Sequence, residues 1–388
     1  MAEFLYAAGA LVVVVTGTSI LFTLVLPRAT GGGIERITLS VNRTVRVVFI
    51  GLARFANGYE RKDAVLSPIG PVALVAQLVA WAALFVVGFA LILEPTTHDF
   101  GAAFLQSAAS LFTVGSVHAG GPRNVPADIA AGAVWAVVVA LQIAYLPALY
   151  SAFNRRESLV AMLESRAGVP AWGPEVLARH QLVGITDALP QFYAEWEGWA
   201  AEVAESHTTY PVLLLFRSPE PWYSWIVGLL AVLDGAAMHL AVAPHTASSQ
   251  ARLCLRMGFT AFNRIARTLG WPVDPDPNPE GPIELTFEEF EQAYKMLVEV
   301  GFSMERSAEE AWPNFVGWRV NYEKAAYRLA DRAVAPPAPW SGPRRHLPPG
   351  PVAPLRPPQR SPGKIDKRGL TTLRPTVVVQ PTPRRRRA

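Results

Sequence analysis

The sequence predicts an all-α membrane protein: three transmembrane helices with a re-entrant loop, then a helical cytoplasmic domain and a disordered tail. Three observations predict this. Apolar runs long enough to cross a bilayer, which takes about 20 residues, occur at Leu5–Pro27, Pro68–Leu93 and Ile129–Tyr150. Hydrophobic residues make up 51% of the 388 positions, high for a purely soluble chain and low for one that is all membrane. Strand-like alternation is scarce, and only Tyr210–Phe216 reads as a short strand.

Leu5–Pro27 is uncharged, with Glu3 before it and Arg28 after it. A secretory leader would show a basic start and a small-residue cleavage site, so the run is read as a retained anchor with its N-terminus outside. Gly31-Gly32-Gly33 breaks the chain. From Ile34 to Phe55, apolar Ile37, Val41, Val45, Val48, Phe49 and Leu52 alternate at helical spacing with Arg36, Arg43, Arg46 and Arg54. Such a helix either lies on a membrane surface, with guanidinium groups toward anionic headgroups, or packs on its own protein.

Pro68–Leu93 carries no charge, Glu94–Asp99 is a polar turn, and Arg155-Arg156 closes the third run. Loop charge sets the orientation. The 28–67 loop holds Arg28, Arg36, Arg43, Arg46, Arg54, Arg61 and Lys62, whereas the 94–128 loop holds only Arg123. The first loop is therefore placed inside, and everything after Arg155 in the cytoplasm of a multi-pass plasma-membrane protein.

Beyond Glu157 the pattern is helical. Gln191–Ala204 is acidic, and Ser248–Leu269 ends at Gly270 with Pro272 beyond. Thr286/Glu289 and Ser307/Glu310 have capping-box spacing. Trp222–Val242 is long enough to span but contains Asp234 and His239. A central Asp costs about 2.5–3.5 kcal/mol to insert, so a buried helix of the cytoplasmic domain is preferred to a fourth span. From Ala333 on there are twelve basic residues and one acid, leaving 23 basic and 30 acidic residues in the preceding 332. The basic pI thus belongs to the tail and argues for no nucleic-acid partner. From Ala335 the chain is rich in proline and arginine and cannot bury enough apolar surface to fold. As a disordered tail it is either simply solvated or touches anionic lipid or an acidic partner.

Phe100–His118 is too short and broken to span. Irregular backbone at membrane depth is tolerated only where protein shields it or it lines a water-filled path. It would dip in from outside between two true spans, with Phe100–Phe112 helical and Thr113-Val114-Gly115-Ser116 following. A cation sheds its water only where oxygens replace it, and rings of backbone carbonyls from four copies of a short segment supply them. Gly115 tolerates positive φ. A helix C-terminus aimed at the cavity favours a cation, and Ala102, Ala103, Ser107, Ala108, Ala109 and Ser110 allow close helix contact.

Two spans around a re-entrant loop carrying Thr-Val-Gly resemble the pore unit of the two-span potassium channel family, over about Pro68 to Phe153. The resemblance implies a homotetramer, Phe100–Phe112 as pore helix, Ile129–Phe153 as inner helix, and Thr113, Val114, Gly115 and Ser116 as the ion filter. It implies no cofactor and no metal beyond a permeant monovalent cation. The filter is degenerate: Ser116 stands where the family has Tyr, Val117 where it has the second Gly, and His118 where an acid follows. His118 is read as an exposed loop residue ahead of a sensor of external acid. Gln142 is read as bonding a neighbouring helix ahead of lining the cavity, and Asp128 as capping the outer end of the third span.

The remaining polar residues carry less. No GxSxG, HExxH, Walker or GxGxxG motif occurs, so an enzyme is not expected. The single cysteine, Cys254, excludes an internal disulfide and thiolate-rich metal sites. The run Asp276–Ile283 starts like an EF-hand loop, but Phe287 replaces the bidentate Glu. Asp234 and His239, and the tryptophans Trp196, Trp199, Trp222, Trp225, Trp312 and Trp318, are read as structural. Arg319, Asn321 and Glu323, in the distinctive run Trp312–Ala330, have no mechanism assigned.

The organisation that follows is an anchor over 1–30, a basic amphipathic linker over 31–67, the pore domain over 68–153, a helical cytoplasmic domain over 154–334 and a tail over 335–388. The expected function is a cation-channel subunit regulated by its cytoplasmic domain. The alternative is a non-conducting membrane scaffold that binds a partner through that domain and the basic tail.

Overall fold

The computed structural model describes residues 1–25, 36–114 and 121–342. Among them there is helix and no strand. The helices are α1 (Ala2–Leu24), α2 (Arg36–Ala53), α3 (Tyr59–Leu66), α4 (Ile69–Thr97), α5 (Phe100–Leu111), α6 (Val125–Ala167) and α7 (Gly173–Val183). Then come α8 (Leu189–Thr209), α9 (Trp225–Val242), α10 (Ser249–Thr268), α11 (Phe287–Glu299), α12 (Ala308–Arg319) and α13 (Glu323–Arg332). By length and composition, four stretches could cross a membrane: α1, the apolar part of 59–97, that of 121–167, and α9. An all-helical chain with several such helices is consistent with a multi-pass membrane protein.

The chain divides into two compact units. The first holds Met1–Phe55, Val65–Phe153 and His207–Phe216. Within it α1 runs antiparallel to α4, and glycine permits the close approach. A methyl group on Gly9 would lie 2.6 Å from the Gly88 carbonyl oxygen, and one on Gly88 would lie 2.9 Å from the Val13 side chain. Small residues that bring backbones together are the usual means of holding helices where lipid offers no hydrophobic drive. Ile20, Trp81, Phe85, Phe89, Leu111 and Val138 form a core shared by α1, α4, α5 and α6. A second cluster joins Leu74 of α4 and Leu149 of α6 to Leu213 and Phe216.

For α2, the structure shows the second sequence alternative, packing on its own protein. One face packs on its own unit: Asn42 Oδ1 accepts from Gln77 Nε2 at 2.5 Å, and the Thr23 and Thr38 hydroxyls are 2.9 Å apart. The outer face leaves Val47, Val48 and Leu52 more than half exposed.

Several boundaries differ from expectation. The turn expected over Glu94–Asp99 is mostly helix, because α4 continues to Thr97 through Pro95. The Thr96 and Thr97 hydroxyls donate back to the Leu93 carbonyl, so they bond within the last turn, and the His98 N–H closes that turn on the Glu94 carbonyl. The turn shrinks to His98, with φ of 53°, and Asp99. Arg155-Arg156 does not end α6. Arg156 is buried, its Nε donates to Glu157 Oε1 at 2.7 Å, and its guanidinium lies 5.7 Å from the Trp225 ring centre. The helix instead stops at Gly168, with φ of 81°. The short strand expected at Tyr210–Phe216 is a 3-10 turn over Pro211–Leu215. Pro211 fixes the first turn position, and among the described residues no strand pairs with the segment.

The second unit holds Ala56–Ala64, Asn154–Ser206 and the chain from Arg217. At its centre every residue of α9 is buried, with α7, α10, α12 and α13 packed against it. Gly258 of α10 meets Leu233, and Gly173 sits against the Ala231 carbonyl. Both capping boxes form, at Thr286/Glu289 and at Ser307/Glu310. The Trp312–Ala330 run is two helices, α12 and α13, not one. Residues 335–342, read from sequence as the root of the tail, are seated on this unit with Ala335, Ala338, Trp340 and Ser341 buried.

Candidate functional site

α5 spans 12 residues, about 18 Å at 1.5 Å per residue, well short of a hydrocarbon core. Asp99 starts it in extended geometry, its Oδ1 accepting from the Gly101 N–H at 2.9 Å. The inner face has small and apolar residues: Ala103 and Leu111 are fully buried, and the Ser107 hydroxyl donates to the Val86 carbonyl of α4 at 2.8 Å.

Polar side chains then tie α5 to both long helices. Asp128, in the first turn of α6, accepts from Gln106 Nε2 at 2.8 Å and from the Ser110 hydroxyl at 2.7 Å. Asn124 Nδ2 donates to Gln106 Oε1 at 3.4 Å, and the Thr96 hydroxyl donates to Asn124 Oδ1 at 2.6 Å. The chain Thr96–Asn124–Gln106–Asp128–Ser110 therefore runs from the end of α4, across α5, to the start of α6. Gln106 and Asn124 are almost fully buried, so each bond also removes the cost of an unpaired polar group. The positive end of α6 favours the carboxylate of Asp128. Close approach helps as well, since a methyl group on Gly132 would lie 3.3 Å from the Ser110 carbonyl oxygen.

The expected filter begins at the far end of α5. Phe112 is the C-cap, and its ring meets Trp135 edge-on at 5.5 Å. Thr113 is left-handed, with φ of 55°. Its N–H donates to the Ser110 carbonyl at 3.3 Å, and the Val114 N–H donates to the Ala109 carbonyl at 3.0 Å. This pair of bonds closes a helix C-terminus, usually around glycine. The Thr113 hydroxyl donates to the Phe112 carbonyl at 2.7 Å, and Val114 is 82% exposed. Gly115 and Ser116 lie outside the described residues, as do Val117 and His118.

Sequence reasoning treated Asp128 as a cap alone. The signal for its second role was Gln106 and Ser110, four residues apart and therefore on one face of an otherwise apolar helix. The residues left without a mechanism form a second polar centre, in the second unit. Arg319 is fully buried, with Nη1 2.5 Å from Asp234 Oδ1 and Nε 2.9 Å from Glu323 Oε1. The Tyr322 hydroxyl donates to Asp234 at 2.8 Å, and Glu323 accepts from the Glu284 and Leu285 N–H groups. Two carboxylates offset one guanidinium, and both Glu323 oxygens and Asp234 Oδ1 accept further hydrogen bonds, which is how a buried charge is tolerated. Among the described residues no group of three or more His, Cys, Asp or Glu is placed to hold a metal. No protein-family model matches this chain, and no curated protein or solved structure is detectably similar to it.

Proposed function

We propose that this protein is a subunit of a homotetrameric, potassium-like cation channel in the plasma membrane, regulated by its helical cytoplasmic domain. The observation that carries the reading is α5: a short, capped helix between two apolar helices of membrane length, pinned to both by side-chain bonds. Such a helix at membrane depth calls for shielding by protein or water. On this reading α1, α4 and the apolar part of α6 cross the bilayer, and α9 is a core helix of the cytoplasmic domain. Backbone carbonyls from Thr113 to Ser116 of four chains replace the hydration shell of a permeant monovalent cation. Basic loop charge puts the N-terminus outside and the domain inside.

One observation favours the second reading, a non-conducting scaffold that binds a partner through the helical domain and basic tail. Thr113 closes α5 in a left-handed turn instead of starting an extended run. The test is potassium or rubidium flux into liposomes holding the purified protein, with Thr113→Ala and Gly115→Ala alongside. Flux that falls at least tenfold in both variants supports the channel. Absence of flux at every pH and voltage, or a native monomer, supports the scaffold.

A further inference from the structure

Residues 335–342, Ala-Pro-Pro-Ala-Pro-Trp-Ser-Gly, lie on the second unit in the manner of a docked ligand. The tip is a turn closed on itself: the Ser341 hydroxyl donates to the Ala338 carbonyl at 2.7 Å and accepts from the Ala338 N–H at 3.2 Å. That turn presents Trp340 to an aromatic groove. Its ring lies edge-on to Trp172 at 5.7 Å and to Phe315 at 5.6 Å, with the Arg319 guanidinium 5.6 Å from its centre. The Trp340 carbonyl receives bonds from Arg319 Nη2 at 2.8 Å and from the Tyr327 hydroxyl at 3.0 Å.

Three features separate this contact from ordinary core. The backbone is strained just before the segment and at its tip, since Val334 and Trp340 both have positive φ, at 50° and 61°. The bonds from the groove to the tip converge on a single carbonyl. Arg319 keeps both of its carboxylate partners whether or not that carbonyl is present, so departure of the segment strands no buried charge. Prolines 336, 337 and 339 also restrict the free segment, which lowers the ordering cost of docking.

We infer that the groove formed by Trp172, Phe315, Arg319 and Tyr327 is a binding site for a proline-flanked tryptophan peptide, filled in cis by residues 335–342 and able to release them. The root of the segment is held separately: Arg217 donates to the Ala333 and Val334 carbonyls while pairing with Asp63. The tip can therefore leave while the root stays fixed.

The test uses the full chain in detergent and is independent of ion conduction. In hydrogen exchange on the wild type, the amides of Ala338, Trp340, Ser341 and Gly342 are expected to exchange at least tenfold faster than those of α9. Equal protection, meaning release only on global unfolding, overturns the inference. A fluorescein-labelled peptide of sequence APPAPWSG is then titrated onto wild type and Trp340→Ala. Saturable binding to Trp340→Ala, at least tenfold tighter than to wild type, supports a groove filled in cis. No binding to folded Trp340→Ala overturns it. So does equal binding to both, or loss of α9 protection in the variant.

Discussion

Asp128 holds Gln106 and Ser110 at once, with Gln106 Nε2 2.8 Å from one carboxylate oxygen and the Ser110 hydroxyl 2.7 Å from the other. Hydrogen bonds to a charged group contribute about 1.5–3 kcal/mol each. A double-mutant cycle on Gln106→Ala and Asp128→Asn should therefore show a coupling of about 1–3 kcal/mol in thermal unfolding of the detergent-solubilised protein. Additive effects would remove the staple from any account of α5.

The α1–α4 contact rests on absent side chains. Gly9→Val places its Cβ 2.6 Å from the Gly88 carbonyl oxygen and 2.7 Å from the Ile92 side chain, and overpacking of this kind costs about 1–3 kcal/mol. Gly17 has nothing within 4 Å of a Cβ position, so Gly17→Val on the same helix serves as the control. The melting temperature should fall for the first and hold for the second. Equal effects would argue against the observed crossing.

Buried and exposed ion pairs should separate cleanly. Arg319→Ala strands Asp234 and Glu323 in the interior of the second unit, at a cost of about 3–5 kcal/mol. Arg155 and Glu202, 3.5 Å apart, are each about 60% exposed, and Arg155→Gln should change stability by less than about 1 kcal/mol. Chemical denaturation read by far-UV circular dichroism compares them. An innocuous Arg319→Ala would mean that the centre holds nothing together.

His180 gives a pH prediction. It is buried on α7, with Nδ1 2.6 Å from the Val176 carbonyl and its ring against Phe192. Burial lowers its pKa below the ordinary 6.5, the Val176 carbonyl opposes this, and Arg166 adds to the lowering. The folded state thus binds its proton later than the unfolded chain does as pH falls. Its contribution is intact above 6.5 and is lost as pH falls from there toward the folded pKa. The stability difference between wild type and His180→Gln should accordingly shift against wild type on acidification. A difference flat from pH 7.5 to 5 would contradict this.

Particular residues show how far the sequence could be read. Asp99 and the apolar stretch after it mark α5 to within one residue, and the Thr286/Glu289 and Ser307/Glu310 boxes mark α11 and α12, because caps are local chemistry. Arg155-Arg156 marks where the apolar run stops, next to the Phe153/Asn154 boundary between the units, but not that α6 runs on through it or that Arg156 is buried beside Glu157 and Trp225. Tyr210–Phe216 has strand composition, but a strand needs a partner that composition does not reveal.

The sequence by itself determined the apolar helices of membrane length, their charge asymmetry, the caps and the break after α5, since each depends on neighbours within a turn or two. Only the tertiary structure decided that Asp128 serves α5 as well as α6, and that Arg319 finds Asp234 from 85 positions away. It also decided that Trp340 leaves the tail for a groove in the second unit. These are pairings of single side chains across long stretches of chain. They have no period for a pattern to expose, and they exist only once packing has brought the partners together.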